Sequence, residues 1–342
     1  CALGVSIPLS FFSGIGACSK NGILVKGSNY LEAVSKSEII VFDKTGTITE
    51  GKFKVREVHG VGITDKELLR LASYAEYYSN HPISISIKEE YGHKIDHKKI
   101  FDVKEIPGMG VIAYLDNKKV MIGNNKLLDE NNIEYEKCDI IGTIIYIAVD
   151  NVYRGYIVIN DKIKDDSIDA LEKLKNLGIK KTVMLTGDKE SISKNVFEKL
   201  NIDEYYSELL PQDKVNIIDK LKMEKSKDGK IVFAGDGIND APVIVSADIG
   251  ISMGGVGSDA AIEASDIVIM TDELSKISTV INISKRTMKI VRQNIIFALS
   301  VKIFVLLLIS FGLLTMWSAV FADVGVSVLA ILNSIRILKI KY

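Results

Sequence analysis

The chain has 342 residues, with 43 Lys and Arg against 44 Asp and Glu and a formal net charge of −1, so it lacks the basic field that a nucleic-acid partner requires. Its length suggests two or three domains rather than one small core. Cys1, Cys18 and Cys138 are scattered without paired spacing, which argues against a disulfide framework or a structural zinc site and fits a reducing, cytosolic side.

Residues 1–17 are apolar and Gly-rich but short for a membrane span, and Lys20 and Lys26 follow them. The chain starts with Cys, and no charged segment precedes the apolar run, so a secretory signal fits poorly. The cytosolic end of a severed membrane helix, in a partial sequence, is the better expectation.

The apolar run 39–42 reads as a buried strand and ends in Asp43-Lys44-Thr45-Gly46-Thr47-Ile48-Thr49. Asp, Thr and Gly are ordinary turn residues, but a carboxylate held at a strand tip, with a cation and a hydroxyl-rich turn beside it, is placed to attack phosphorus. Asp43 is therefore a candidate covalent nucleophile, with Lys44 and Thr45 beside it, since an acyl phosphate splits one hard displacement into two easier ones.

Residues 55–151 have a different texture, with Tyr77-Tyr78, three of the four histidines within 81–97, and Gly108-Met109-Gly110. They read as a second domain inserted into the first. His93, Asp96 and His97 have helix-like spacing, but a solvated charged face explains them better than a metal site, and His59 has no evident partner.

Strand-like runs then recur at 182–185, 231–234, 249–252 and 267–270, alternating with polar helical stretches. This is the pattern of a parallel α/β sheet, whose ligand site forms at the carboxyl ends of the strands. Asp43, Thr186-Gly187-Asp188 and Gly235-Asp236-Gly237-Ile238-Asn239-Asp240 are thus expected to converge. Asp236 and Asp240 suit Mg²⁺, which takes one or two carboxylates with phosphate and water, and Asp43 and Thr45 complete the expected Mg²⁺ set. Thr186, Gly187 and Asp188 form the facing loop, and Thr186 and Gly187 offer donors to phosphate oxygens. Asn239 joins them as a candidate catalytic residue, and Lys214, near the start of a predicted helix, can reach a phosphate oxygen. The charged stretch 220–230 reads as a solvated helix end. Gly255-Val256-Gly257-Ser258 only loosely matches a dinucleotide fingerprint, and no Gly-x4-Gly-Lys-Ser/Thr loop exists.

Phosphatases with this kind of sheet carry a second Asp two residues after the nucleophile as general acid and base. Here that position is Thr45, which favours a long-lived phosphoenzyme and a pump over a membrane-anchored phosphatase.

Residues 295–315 and 317–338 are each long and apolar enough to cross a bilayer of about 30 Å. Lys285, Arg286, Lys289 and Arg292 precede the first, and Arg336, Lys339 and Lys341 close the second. The positive-inside bias puts both outer ends in the cytosol, with a hairpin turning near Met316. Lys302 and Asp323 stand inside these spans, where ionisable groups are costly and are functional candidates by default. A buried ion pair between the helices is the plain alternative.

The string Asp43–Thr49, Thr186-Gly187-Asp188 and residues 235–242 together resemble the signatures of P-type ATPases, and Ser79-Asn80-His81-Pro82 resembles the heavy-metal-transporting branch. The likeness covers essentially the whole chain and points to that family's C-terminal half. It implies an α/β, haloacid-dehalogenase-like doubly wound parallel sheet as phosphorylation domain, with an inserted α+β nucleotide-binding domain and flanking transmembrane helices. The domain bounds expected are 1–24 for the end of a truncated transmembrane metal-site helix, 25–54 and 152–285 for the phosphorylation domain, 55–151 for the nucleotide-binding domain, and 289–342 for the helix pair. The resemblance further implies ATP and Mg²⁺, with Glu76 and His81 orienting adenine, Gly108 and Gly110 admitting the nucleotide, and Gly123 and Asn124 completing the pocket. Cys1 resembles the second cysteine of a Cys-Pro-Cys metal site. With Lys302 and Asp323 it implies a transported divalent ion, Zn²⁺, Cd²⁺ or Pb²⁺, since an oxygen ligand beside thiolate suits these better than Cu(I). A copper-transporting relative is the second expectation. The expected location is the cell membrane, multi-pass, with both large domains cytosolic.

Overall fold

The structure, a computed structural model, describes residues 2–138, 140, 142–236, 240–254 and 259–339. It divides into two compact units, Cys1–Ile48 with Lys164–Tyr342, and Thr49–Ile163. Cys1, Gly237-Ile238-Asn239 and Gly255-Val256-Gly257-Ser258, singled out above, lie outside the described residues.

The first unit opens with α1 (Ala2–Lys20), β1 (Ile23–Val25), α2 (Ser28–Val34) and β2 (Ser37–Asp43). β-branched Ile39, Ile40 and Val41 favour the extended, pleated backbone. With Phe42 they are at most 3% exposed, which is how a parallel strand covered on both faces reads.

The chain then builds the second unit from β3 (Thr49–Gly60), α3 (Asp65–Ala75), α4 (Pro82–Tyr91), β4 (Ile100–Ile106), β5 (Gly110–Leu115), β6 (Lys118–Gly123), α5 (Asn125–Glu130), β7 (Thr143–Val149) and β8 (Val152–Ile163). Its sheet runs β3-β8-β7-β6-β5-β4 and every pairing is antiparallel. Alternation along β7 shows why it is stable. Ile145, Ile147 and Val149 join Leu68 and Leu71 of α3 and Ile87 of α4 on one face, while Tyr146 and Ala148 meet Leu127 and Leu128 of α5 on the other.

Back in the first unit come α6 (Ser167–Asn176), β9 (Lys181–Leu185), α7 (Glu190–Leu200), β10 (Glu204–Tyr206), α8 (Pro211–Lys222), β11 (Lys230–Gly235), α9 (Ala241–Ser246), β12 (Ile249–Met253), α10 (Asp259–Ala264) and β13 (Ile267–Ile269). The sheet order is β1-β13-β12-β11-β2-β9-β10, parallel except for the β1 edge. Val41, Val183 and Phe233 pack against Ile217, Ile218 and Leu221 of α8 and Val243 and Ile244 of α9. Ile40, Phe42 and Val232 are equally buried, so both faces are covered, as in a doubly wound sheet. From β2 the chain winds outward through β9 and β10, then returns to β11 on the other side of β2. The order reverses between β2 and β11, and a crevice opens at such a reversal beyond the strands' carboxyl ends.

The unit ends in α11 (Ser275–Ser310) and α12 (Met316–Ile335), which turn at residues 311–315. Stretches with mean hydropathy of 2.0 and 1.8 make both long and apolar enough to cross a membrane. The first half of α11 buries Ile277, Val280, Ile281 and Ile283, whereas Ile303, Phe304, Leu306 and Leu307 are exposed. α1 packs on both helices. Where the three meet, Ser6, Ser10, Asn294 and Ser334 are buried, and Asn294 Nδ2 donates to Ser334 Oγ at 3.0 Å and to the Ala330 carbonyl at 3.2 Å. Such pairing is required of polar groups taken out of water.

Candidate active site

Asp43 is the last residue of β2 and is 6% exposed. The turn after it depends on Gly46, whose φ of +75° favours glycine. Space demands the same residue, because a Cβ there would lie 2.5 Å from Asp236 Oδ2. Asp236 directly follows β11, so the two strands flanking the reversal deliver both carboxylates to one place.

α8 supplies the counter-charge. Pro211 starts this helix, and the Asp213 carboxylate accepts from the Leu210 N–H at 3.0 Å. Lys214 therefore sits in the first turn, 9% exposed, and its Nζ donates to Asp43 Oδ1 at 2.6 Å and Asp240 Oδ1 at 2.8 Å. Asp240 precedes α9 and is 3% exposed. On the other side of β2, Asp43 pairs in register with Leu185, so Thr186-Gly187-Asp188 continues alongside the turn after Asp43. Thr186 is buried and its Oγ1 accepts from the Asp188 N–H at 3.1 Å. Asp188 forms an ion pair with the buried Lys44, and Thr45 is half-buried in the extended part of the turn.

Burial, reinforced by the charge of Asp240 and opposed by Lys214, pushes the Asp43 carboxyl from 3.8 up to about 7. Burial works to lower the Lys214 ammonium, but Asp43 and Asp240 more than offset it and hold it above its ordinary value. Two carboxylates thus share one lysine, with Asp236 a further negative charge beside Asp43, while Lys44 is engaged by Asp188. The remaining negative charge fits a hard divalent cation with oxygen ligands. Among the described residues no group of three or more His, Cys, Asp or Glu is arranged to hold a metal ion.

The second unit holds the other expected cluster. Glu76 caps the carboxyl end of α3, is 7% exposed and accepts from Ser84 Oγ at 2.6 Å. Burial raises its carboxyl, against the pull of Ser84, His81 and Lys88. His81 is exposed and caps α4, its Nδ1 accepting from the Ile83 N–H at 3.3 Å. Gly110 and Gly123 face each other across β5 and β6, each so close to the other strand's backbone that a Cβ does not fit. Gly108 has a φ of +73° and open space around it, and Asn124 Nδ2 donates to its carbonyl at 2.9 Å. A loop with bare backbone facing open space suits close approach of a flat or charged ligand.

Lys302 and Asp323 line one cleft of about 390 Å³ between α11 and α12, with Val301, Val305, Ala319 and Val326. His93 and His97 are packed against Tyr91 and Tyr77. Lys164 is a residue the sequence reasoning missed. It is buried and its Nζ donates to the Gly46 carbonyl at 3.0 Å, yet no motif in the sequence marks it, and only the fold puts it behind the turn after Asp43.

Comparison with known proteins agrees with this geometry. The haloacid dehalogenase-like hydrolase family matches residues 38–248. A cadmium, zinc and cobalt-transporting ATPase of Bacillus subtilis (strain 168) is 51% identical over 342 residues, which is 100% of this chain and 49% of that protein. The chain spans about half the length of the curated relatives it matches. A crystal structure of a zinc-transporting PIB-type ATPase in an E2.Pi state superposes with a TM-score of 0.88 at 32% identity, covering 99% of this chain and 56% of that one. The catalytic CPx-ATPase domain CopB-B gives a TM-score of 0.59 at 32% identity, covering 80% of this chain and 98% of that one. The chain belongs to the haloacid dehalogenase-like hydrolases and, within them, to the heavy-metal branch of the P-type ATPases.

Proposed function

We propose that this chain carries the phosphorylation, nucleotide-binding and C-terminal membrane parts of an ATP-driven exporter of divalent heavy-metal ions, Zn²⁺, Cd²⁺ or Pb²⁺. The observation that carries this reading is the buried Asp43 at the sheet's reversal point, bridged by Lys214 to Asp240 and flanked by Asp236. An Asp43 oxygen attacks the γ-phosphorus of ATP, the bond from that phosphorus to the β,γ-bridging oxygen breaks, and ADP leaves with the electron pair. Water later cleaves the acyl phosphate. Lys214 holds the attacking carboxylate and can follow the charge onto the phosphoryl oxygens, while Thr186 and Gly187 offer further donors. Mg²⁺ would be held by Asp43, Thr45 and Asp236, supported by Asp240, and supplies charge neutralisation at the phosphoryl group. Asn239 is a further catalytic residue in our assignment. Glu76 and His81 take the adenine end of ATP, and Gly108, Gly110, Gly123 and Asn124 admit the rest.

Lys302 and Asp323 form the membrane part of the transported-metal site, with Cys1 as the thiolate ligand. The two apolar helices and the basic residues at their outer ends support a cell-membrane location with the two large domains cytosolic. The Bacillus relative's cadmium, zinc and cobalt specificity supports the choice of metal class. Equilibrium dialysis of zinc against the detergent-solubilised chain tests it. Asp323→Ala is expected to remove zinc binding and leave ATP binding intact, and unchanged zinc binding would move the site elsewhere.

A further inference from the structure

Lys164 is not among the residues assigned above, yet it is buried and held behind the turn after Asp43. Its side chain is 4% exposed, and its Nζ donates to the Gly46 carbonyl at 3.0 Å and to Asp272 Oδ1 at 2.7 Å. A buried ammonium is costly unless it is both paired and hydrogen-bonded, and these two acceptors meet that need. The main-chain stitching of this segment is already complete without the side chain, since the Lys164 N–H and Ser167 Oγ both donate to the Ile48 carbonyl at 3.0 Å. The ammonium does something further. It reaches two residues closer to Asp43, to Gly46, whose Cα side presses on Asp236, where a Cβ would lie 2.5 Å from Oδ2 and 3.1 Å from Cγ.

We infer that Lys164 is a positioning residue for the divalent cation of the phosphoryl-transfer site. It holds the Gly46 carbonyl, which fixes the turn against Asp236 and thereby sets the direction of the Asp236 carboxylate. Groups that orient a metal ligand without touching the metal govern its affinity in the same manner. The inference rests on the reading of Asp236 as a cation ligand, and its test separates the two.

Mn²⁺ serves as the probe, because its free and bound forms are distinguished by electron paramagnetic resonance without any turnover. The detergent-solubilised full chain is titrated as wild type, Lys164→Met, Lys164→Arg, Asp272→Asn and Asp236→Asn, with melting recorded in the absence of Mn²⁺. Lys164→Met is expected to weaken Mn²⁺ about ten-fold, Asp272→Asn to weaken it less, and Lys164→Arg to restore it, while Asp236→Asn abolishes binding. If Asp236→Asn binds as wild type does, the reading of the site itself fails. If Asp236→Asn loses binding but Lys164→Met keeps wild-type affinity, or loses only melting temperature, the role of Lys164 is overturned alone. Should Lys164→Met not fold, Asp272→Asn decides: weakened Mn²⁺ binding supports the inference and unchanged binding overturns it.

Discussion

The turn after Asp43 in the α/β unit and the glycine loop of the inserted unit are built in opposite ways. Around Asp43 charges are packed at close range, with Lys214 shared by two carboxylates and Lys44 paired to Asp188. Around Gly108 there is open space and bare backbone, braced from one side by Asn124. Phosphoryl transfer needs charge fixed before the reaction, whereas holding a nucleotide needs room and backbone access. Buried, preorganised charge is costly in stability, and an open loop costs little.

The largest break in this comparison comes from Asp43→Asn, whose amide cannot serve as nucleophile. Acid-stable, hydroxylamine-sensitive label from γ-labelled ATP is expected to fall by at least about a thousand-fold, and persistence of the label would remove Asp43 from its role. Next is Lys214→Met, which leaves Asp43 and Asp240 facing each other without a counter-charge. It should cost about 3–5 kcal/mol of folding stability, as breaking a buried pair does, read as a lower denaturant midpoint. A shift no larger than that of an exposed lysine would mean the charges are not fixed as described. On the other side, Gly110→Ala forces a Cβ into the backbone of β6 at a φ of +148°. Strain of about 1–3 kcal/mol should appear as weaker binding of a fluorescent ATP analogue, with the Mn²⁺ affinity of the α/β unit unchanged.

The smallest effect is a matter of protons. Asp43 is raised from 3.8 to about 7, so between those values the folded chain holds a proton that the unfolded chain has lost. This group's contribution to stability therefore falls as pH rises from about 4 through 7. Label formation should rise with pH through a midpoint near 7 at low Mg²⁺, because the nucleophile must be ionised. Saturating Mg²⁺ favours the carboxylate and should move that midpoint down by about one unit; a midpoint indifferent to Mg²⁺ would separate the cation from Asp43.

The buried parallel strands were readable from the sequence because each is a continuous apolar run ended by Thr, Gly or Asp, as at Phe42-Asp43, Leu185-Thr186 and Ala234-Gly235. The edge strands β1 and β10 were not, since three residues each carry no usable period. Chain order and the strand-tip rule were enough to bring Asp43, Asp188 and Asp236 to one end of the sheet. They could not show that Lys214, 171 residues from Asp43, is buried between two carboxylates, because a lysine in a first helical turn looks solvated until the sheet is laid beneath it. Lys164 was hidden for the same reason. In the inserted unit the pairing of Gly110 with Gly123 depends on strand register, which neither local composition nor spacing reveals.

α11 is one uninterrupted helix of 36 residues, about 54 Å long at 1.5 Å per residue. Its first half is embedded in the α/β unit, against α2 and α6, and its second half carries Lys302. A tilt of about ten degrees where such a rod is rooted would sweep the far tip through roughly 9 Å.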